Sequence, residues 1–319
     1  MKKLISTLLI AALALSLAAC GGGQKPEDAA KKVGIIQLAE FGALDDAAAG
    51  FIERMDELCA EKGVKWEHQL ENAQGEQSVC ATIATTFVNS GVDMIMAIAT
   101  PAASAAASAT AEVPIIFTAV TDAQAARLVK TNEVPGGNVS GTSDMNPVAQ
   151  QIELLLKLVP GAKTVGIIYC SAEPNSVTQE AMARKELEAK GVNVLDFTAA
   201  DSSEVAAVAQ SMVGKVDAVY IPTDNLISAS AATVAQVLNA AKIPTVAGEA
   251  SMVDKGFLAT FGINYKQLGR QTADMAFRVL FEGQNIAELP VEFYTKDCEL
   301  TVNSDTAEVL GITIPDDLN

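Results

Sequence analysis

Carboxylates, amides and hydroxyls gather in a few short, loop-like stretches of this chain. One set reads Gln37-Leu38-Ala39-Glu40-Phe41, Thr100-Pro101-Ala102-Ala103-Ser104 and Thr118-Ala119-Val120-Thr121-Asp122. A second set reads Ser171-Ala172-Glu173-Pro174-Asn175-Ser176, Pro222-Thr223-Asp224-Asn225 and Gly248-Glu249. Pro101 after Thr100 marks a helix start, whose free N–H groups and hydroxyl make a cradle for a carboxylate. Asp224 and Glu249 suit an ammonium. Hydroxyls on one side and acids on the other are what a zwitterion requires. Plain N-capping by Thr100, Ser104 and Asp224, with Glu249 solvated, uses the same groups and competes with this reading. Leu38, Phe41, Leu44 and Leu226 stand near the same stretches and offer an apolar wall, although core packing is the commoner fate of such residues.

Other chemistries lack their residues. His68 is the only histidine, which leaves no His-based triad and no HExxH zinc site. There is no GxGxxG, GxxxxGK[ST] or GxSxG segment. Paired acids hydrolyse glycosides, but a chain with 5% aromatic residues is poor in the stacking platforms sugars use. No enzyme activity, cofactor or metal is expected. With 22 Lys+Arg against 39 Asp+Glu, the formal charge of −17 opposes phosphate backbones, and no basic run exceeds a pair. Nucleic acid is therefore not an expected partner. Trp66 and His68 fall on one face of one strand and read as packing residues. Cys59, Cys80, Cys170 and Cys298 lack CxxC spacing; Cys59 and Cys170 sit in apolar surroundings that suit buried free thiols as well as disulfides.

The elements that position these stretches alternate short β-branched runs with Ala-rich helical ones, the pattern of parallel sheets covered by helices. Strands are expected at 33–38, 65–70, 94–99, 115–118, 164–169, 193–198, 218–222 and 244–248. Helices are expected at 44–62, 76–90, 101–110, 147–158, 176–190, 203–213, 226–241 and 265–282. The order of segments occurs twice: Val33-Gly34-Ile35-Ile36 returns as Val165-Gly166-Ile167-Ile168, Lys62-Gly63-Val64 as Lys190-Gly191-Val192, and Val92-Asp93 as Val216-Asp217. Val113-Pro114 likewise returns as Ile243-Pro244. Four ordered matches predict an α/β protein of two doubly wound parallel-sheet lobes joined by a multi-strand hinge. Residues 32–142 with 265–290 make the N-terminal lobe; 143–260 with 291–319 make the C-terminal lobe and a hinge-crossing tail. Crossings are expected at Gly136 to Met145, at Phe257 to Asn264 and within 290–303. Ligands of such sheets bind beyond the carboxyl ends of the strands, so the stretches above face one cleft.

The first residues are an address. Lys2 and Lys3, an apolar run from Leu4 to Leu17 and small residues before Cys20 read as a signal peptide over 1–19. Leu17-Ala18-Ala19-Cys20 looks like a lipobox, with Cys20 carrying acyl chains and residues 20–31 forming a tether. This predicts a protein anchored by lipid to the extracytoplasmic face of a cell membrane without spanning it.

Several stretches together carry a family resemblance: VGIIQLAEFGALD from Val33, NAQGEQS from Asn72, AIATPAA from Ala97 and FTAVTD from Phe117. GNVSGTSD from Gly137, PTDN from Pro222 and GINYKQLGRQT from Gly262 complete the set. The chain resembles the lipid-anchored substrate-binding proteins of ABC importers, in the branch associated with tryptophan, tyrosine and related amino acids. It departs from that family at Phe41 and Gly42, where members often read His and Pro. The resemblance implies a type I periplasmic-binding-protein fold, capture of an amino acid without chemistry, and ABC permease subunits as partners of a monomer. By matched motif it implies Glu40, Thr100, Ala102, Thr118, Asp122, Ser143, Asn175, Asp224 and Glu249 as ligand contacts. The alternatives are a sugar or nucleoside ligand, the sensing core of a transcription regulator, which would begin with a DNA-binding helix-turn-helix, or an exported hydrolase.

Overall fold

The computed structural model describes residues 29–294 and 298–318. The expected signal peptide and Cys20 lie outside the described residues. In chain order the first part comprises β1 (Lys31–Gln37), α1 (Gly42–Lys62), β2 (Trp66–Asn72), α2 (Gln77–Ser90), β3 (Met94–Ile98), α3 (Thr100–Ala109), β4 (Ile115–Thr118) and β5 (Val139–Ser143). The second comprises α4 (Val148–Leu158), β6 (Thr164–Cys170), α5 (Pro174–Ala189), β7 (Asn193–Ala199), α6 (Ser202–Ser211) and β8 (Ala218–Ile221). It continues with α7 (Asn225–Ala229), α8 (Ala231–Ala240), β9 (Thr245–Ala247), α9 (Ala250–Asp254) and β10 (Ala259–Gly262). Then follow α10 (Tyr265–Phe281), β11 (Glu292–Phe293), β12 (Glu299–Val302) and α11 (Ser304–Leu310).

These strands form two six-stranded sheets, β11-β5-β4-β3-β1-β2 and β12-β10-β9-β8-β6-β7. Every pairing is parallel except that of β10 with β12. The central strands β3 and β8 are buried throughout, as strands covered by helices on both faces must be. Strand for strand, β2-β1-β3-β4-β5 repeats as β7-β6-β8-β9-β10, so the duplicated sequence pattern is a duplicated winding. Each sheet reverses its strand order beside its first strand, between β1 and β3 and between β6 and β8, and there a crevice opens at the carboxyl ends.

The chain passes between lobes three times, after β5, after β10 and between β11 and β12. The expected crossings contain strands: β5 lies within Gly136 to Met145, and β10 within Phe257 to Asn264. Two placements differ from the expected lobe boundaries. Ser143 ends β5 on the first sheet, and β11 also joins that sheet through Glu292 opposite Thr142 and Phe293 opposite Ser143. A two-residue strand is too short to show a periodic signal. The single helix expected over 226–241 is divided at Ser230, whose N–H is shared between the carbonyls of Leu226 and Ile227. The Ser228 hydroxyl in this turn lies against Glu249 at 3.5 Å.

α10 returns to the first lobe and packs closely on α1. A Cβ on Gly50 would lie 2.0 Å from the Lys266 carbonyl oxygen, and one on Gly269 would lie 2.1 Å from that of Ala47. The glycines therefore set the approach of the two backbones. Cys59, Cys80 and Cys170 are buried free thiols, each pushed by burial up to about 11. Trp66 stacks on His68 at 4.7 Å and meets Phe51 edge-on at 6.2 Å; Trp66 is half-buried against the core as expected, whereas His68, on the edge strand β2, is exposed.

Candidate functional site

The two crevices face each other and enclose a cavity lined from both lobes. The first lobe contributes Phe41, Ala43, Leu44, Ala119 and Thr121. The second contributes Asn175, Thr223, Asp224, Asn225, Ser228 and Glu249, while Asp144 follows β5 at a crossing and Tyr265 opens α10. Ala99 and Ala119, directly after β3 and β4, hold φ of 84° and 54°. Left-handed backbone at non-glycine residues costs about 1–3 kcal/mol each and often marks loops shaped for a ligand.

Three acids at this cavity are buried. Asp144 accepts hydrogen bonds from the Thr121 hydroxyl at 3.0 Å and from the Tyr265 phenol at 2.8 Å. Asp224 caps α7 by accepting from the Ile227 N–H at 2.8 Å, and its other oxygen accepts from the Cys170 N–H at 2.5 Å. Glu249 caps α9 through the Ser251 N–H at 2.6 Å and accepts from the Ser251 hydroxyl at 2.9 Å. Among the described residues, none of the three is paired with a Lys or Arg. Burial raises all three, Glu249 up to about 7, against the lowering effect of these hydrogen bonds. Behind them Glu173 is raised as well, by burial first and by the neighbouring Asp224 charge second.

Asn175 is only 4% exposed, and its amide orientation is fixed because Nδ2 donates to Glu173 Oε2 at 3.0 Å and to the Thr223 carbonyl at 2.9 Å. Its Oδ1 is left as a buried acceptor with no partner. Opposite these groups stands the start of α1, where Phe41 occupies the cap position without a side-chain cap bond. The first N–H groups of a helix carry partial positive charge, and the start of α1, with Ala43 and Leu44, faces the cavity. Across the lobes, Thr121 and Thr223 hydroxyls meet at 3.4 Å, and Gln179 Nε2 donates to both.

The structure thus brings Asn175, Asp224 and Glu249 together at the cavity. Glu40 is exposed, Thr100 is buried with its hydroxyl unpaired, and Ala102 is buried in α3. Thr118 bonds Thr142 behind the cavity wall, Asp122 caps the turn at Gln124 and Ala125, and Ser143 donates to the Thr121 carbonyl. Asp224 caps a helix and lines the cavity, and Glu249 is 2% exposed rather than solvated. Thr121, Asp144 and Tyr265 were not among the expected contacts. Asp144 lies in GNVSGTSD, within an expected crossing, and Tyr265 lies in GINYKQLGRQT as the first residue of the expected helix 265–282, just after a crossing; a crossing beside a cleft was the signal available.

Free space in the closed cavity is about 10 Å³, room for one water. Adjoining it at Asn225, a larger interlobe cleft of about 280 Å³ has Leu38, Ala39, Pro101, Leu226 and Ala229 among its walls.

Two wound lobes, three crossings and a polar cavity between strand ends define a solute-binding clamp of the type I periplasmic-binding-protein kind. The chain belongs to the ABC transporter substrate binding protein family, which matches residues 32–319. It is 40% identical over 282 residues to the tyrosine-binding protein of Clostridioides difficile (strain R20291), spanning 88% of this chain and 81% of that one. An ABC domain from Streptococcus pneumonia in complex with L-Trp superposes with a TM-score of 0.84 at 37% identity, covering 90% of this chain and 97% of that one. The ligand-free, open form of a Clostridium difficile substrate-binding protein with adhesive properties has 40% identity and the same coverages, 90% and 97%, but a TM-score of 0.68. The lobes here meet directly, Thr121 against Thr223 and the start of α1 against α9, and the open relative, although more identical, superposes less well than the L-Trp complex. These relatives are transport binding proteins rather than enzymes, and their class works outside the cytoplasmic membrane with permease partners.

Proposed function

We propose that this protein captures an aromatic amino acid, tyrosine or tryptophan first among them, and delivers it unaltered to an ABC permease. The observation that carries the reading is the set of three buried acids, unpaired with any described cation, opposite the uncapped start of α1. The ammonium takes the place of the missing cation beside Asp224, Glu249 and Asp144, and Asn175 Oδ1 receives one of its N–H groups. The carboxylate lies at the N–H groups of α1. The ring extends toward the adjoining cleft, past Leu38, Pro101 and Leu226. The names of the tyrosine-binding and L-Trp-bound relatives support an aromatic side chain. With only about 10 Å³ free in the closed cavity, entry requires the lobes to part, and closure then adds contacts from both sides. Residues 1–19 direct export and Cys20 carries the lipid that keeps the protein at the membrane.

A thermal-shift screen against the twenty amino acids, sugars and nucleosides tests the ligand. At a hundredfold excess over Kd a ligand stabilises by about 2.7 kcal/mol. Tyrosine and tryptophan should raise the melting temperature by several degrees and sugars should not. A shift confined to a sugar or nucleoside would sink the amino-acid reading. The anchor is tested separately: Cys20→Ser should move the protein from the membrane fraction to the soluble one.

A further inference from the structure

Glu249 stands between two cavities, and every titratable side chain lining either of them is an acid or a phenol. On one side these are Asp144, Asp224 and Tyr265; on the other they are Asp46 from α1, Asp254 from α9, Glu299 from β12 and Tyr265 again. Ser228 from α7 and Ser251 from α9 are the hydroxyls bonded to it. Its cavity-side neighbours Asp144 and Asp224 are 3% and 0% exposed, so closed lobes hold three acids where water screens little. Three buried negative charges without a cation are costly, and such groups escape the cost by taking up protons. A second observation points to a cationic guest at this place: Asn175 lines the same cavity, and its buried Oδ1 has no donor among the described residues.

We propose that Glu249 holds a proton in the ligand-free closed protein and that the ligand's ammonium displaces it, making amino-acid capture proton-releasing. The exchange balances: Glu249–COOH and ligand–NH3+ give the Glu249 carboxylate paired with ligand–NH3+, and one H+ leaves to solvent. Burial, which raises Glu249 up to about 7, places the exchange within the physiological range. Asp144 and Asp224 are raised in the same direction and favour protonation at the same locus. The consequence is an affinity that falls as pH drops, about tenfold per unit once Glu249 is mostly protonated. This inference rests on the ammonium-binding reading given above.

Titration calorimetry of the full mature chain with L-tyrosine and L-tryptophan, at pH 6.0 in two buffers of different ionisation enthalpy, counts the protons exchanged. About one proton released per ligand at pH 6.0, and close to none at pH 8, is the expected result. Glu249→Gln should remove most of the release and flatten the dependence of log Kd on pH. Tight binding by the unaltered protein with no proton exchange at pH 6.0 overturns the proposal while leaving the amino-acid reading standing. Undiminished release in a folded Glu249→Gln protein overturns the assignment to Glu249. Failure of both amino acids to bind at any pH overturns the function itself.

Discussion

Asp224 caps α7 and lines the cavity with one carboxylate, and its substitutions probe both. Asp224→Asn keeps an oxygen for the Ile227 N–H, so α7 stays capped, but removes the charge from the cavity. Calorimetry should show amino-acid binding weakened by about 2–5 kcal/mol, the range for losing one side of a buried charged pair. The ligand-free protein should also melt lower, because the second oxygen, which accepts from the Cys170 N–H, becomes an NH2 that meets another donor. Asp224→Ala should weaken binding similarly and also lower unfolding stability by roughly 0.5–2 kcal/mol through the lost cap. At this scale the sequence was only partly legible. Asp224 and Glu249 could be placed because they directly follow strands whose apolar runs were plain. Asp144 and Tyr265 could not, because what brings them together is a hydrogen bond between a crossing and the first residue of α10, 121 positions apart. Thr121 and Asp122 are neighbours in the chain, and only backbone geometry after Ala119 decides which of them faces inward.

α1 and α10 show how far patterns alone can reach at the scale of elements. Both helices were legible from their apolar spacing, and the observed bounds agree within a residue or two. Their intimacy was not, because it depends on Gly50 and Gly269 meeting backbone oxygens of the opposite helix. Gly269→Val should push the helices apart and cost about 1–3 kcal/mol, as overpacking of a tight contact does. Urea unfolding measures this as a lower midpoint with an unchanged slope. The ion pairs beside this contact, Arg54 with Asp274 and Arg270 with Glu57, are too exposed to offset it. The break at Ser230 is the opposite case. Alanines surround it and the helical period continues through it, so nothing short of the local N–H bonding reveals the division.

At the scale of the whole molecule, closure is the event that matters, and one glycine permits it. A Cβ on Gly42 of α1 would lie 2.5 Å from Ser251 Cβ on the opposite lobe. Gly42→Val should leave each lobe folded and hold the pair apart. Small-angle scattering should then show a larger radius of gyration with saturating ligand, and affinity should fall at least tenfold, about 1.4 kcal/mol. Closure also sets the response to acid. Glu249 is raised to about 7 from 4.5 by burial, so its contribution favours the folded, closed form below 4.5 and is lost as pH rises through 7. The ligand-free protein should therefore melt at a higher temperature at pH 5.5 than at pH 8, with the difference reduced in Glu249→Gln. The two-lobe plan was readable from the repeated segments, since a doubled order of words implies a doubled winding. The path of Glu292 and Phe293 back to the first sheet was not, because two residues of extended chain carry no pattern. Those passages of chain between the lobes have a mechanical meaning. A single tether would leave each half free to swivel and slide; a triple connection leaves mainly one angle to vary. One distance measured across the mouth, by a pair of spin labels, would then report the state of the entire transporter subunit.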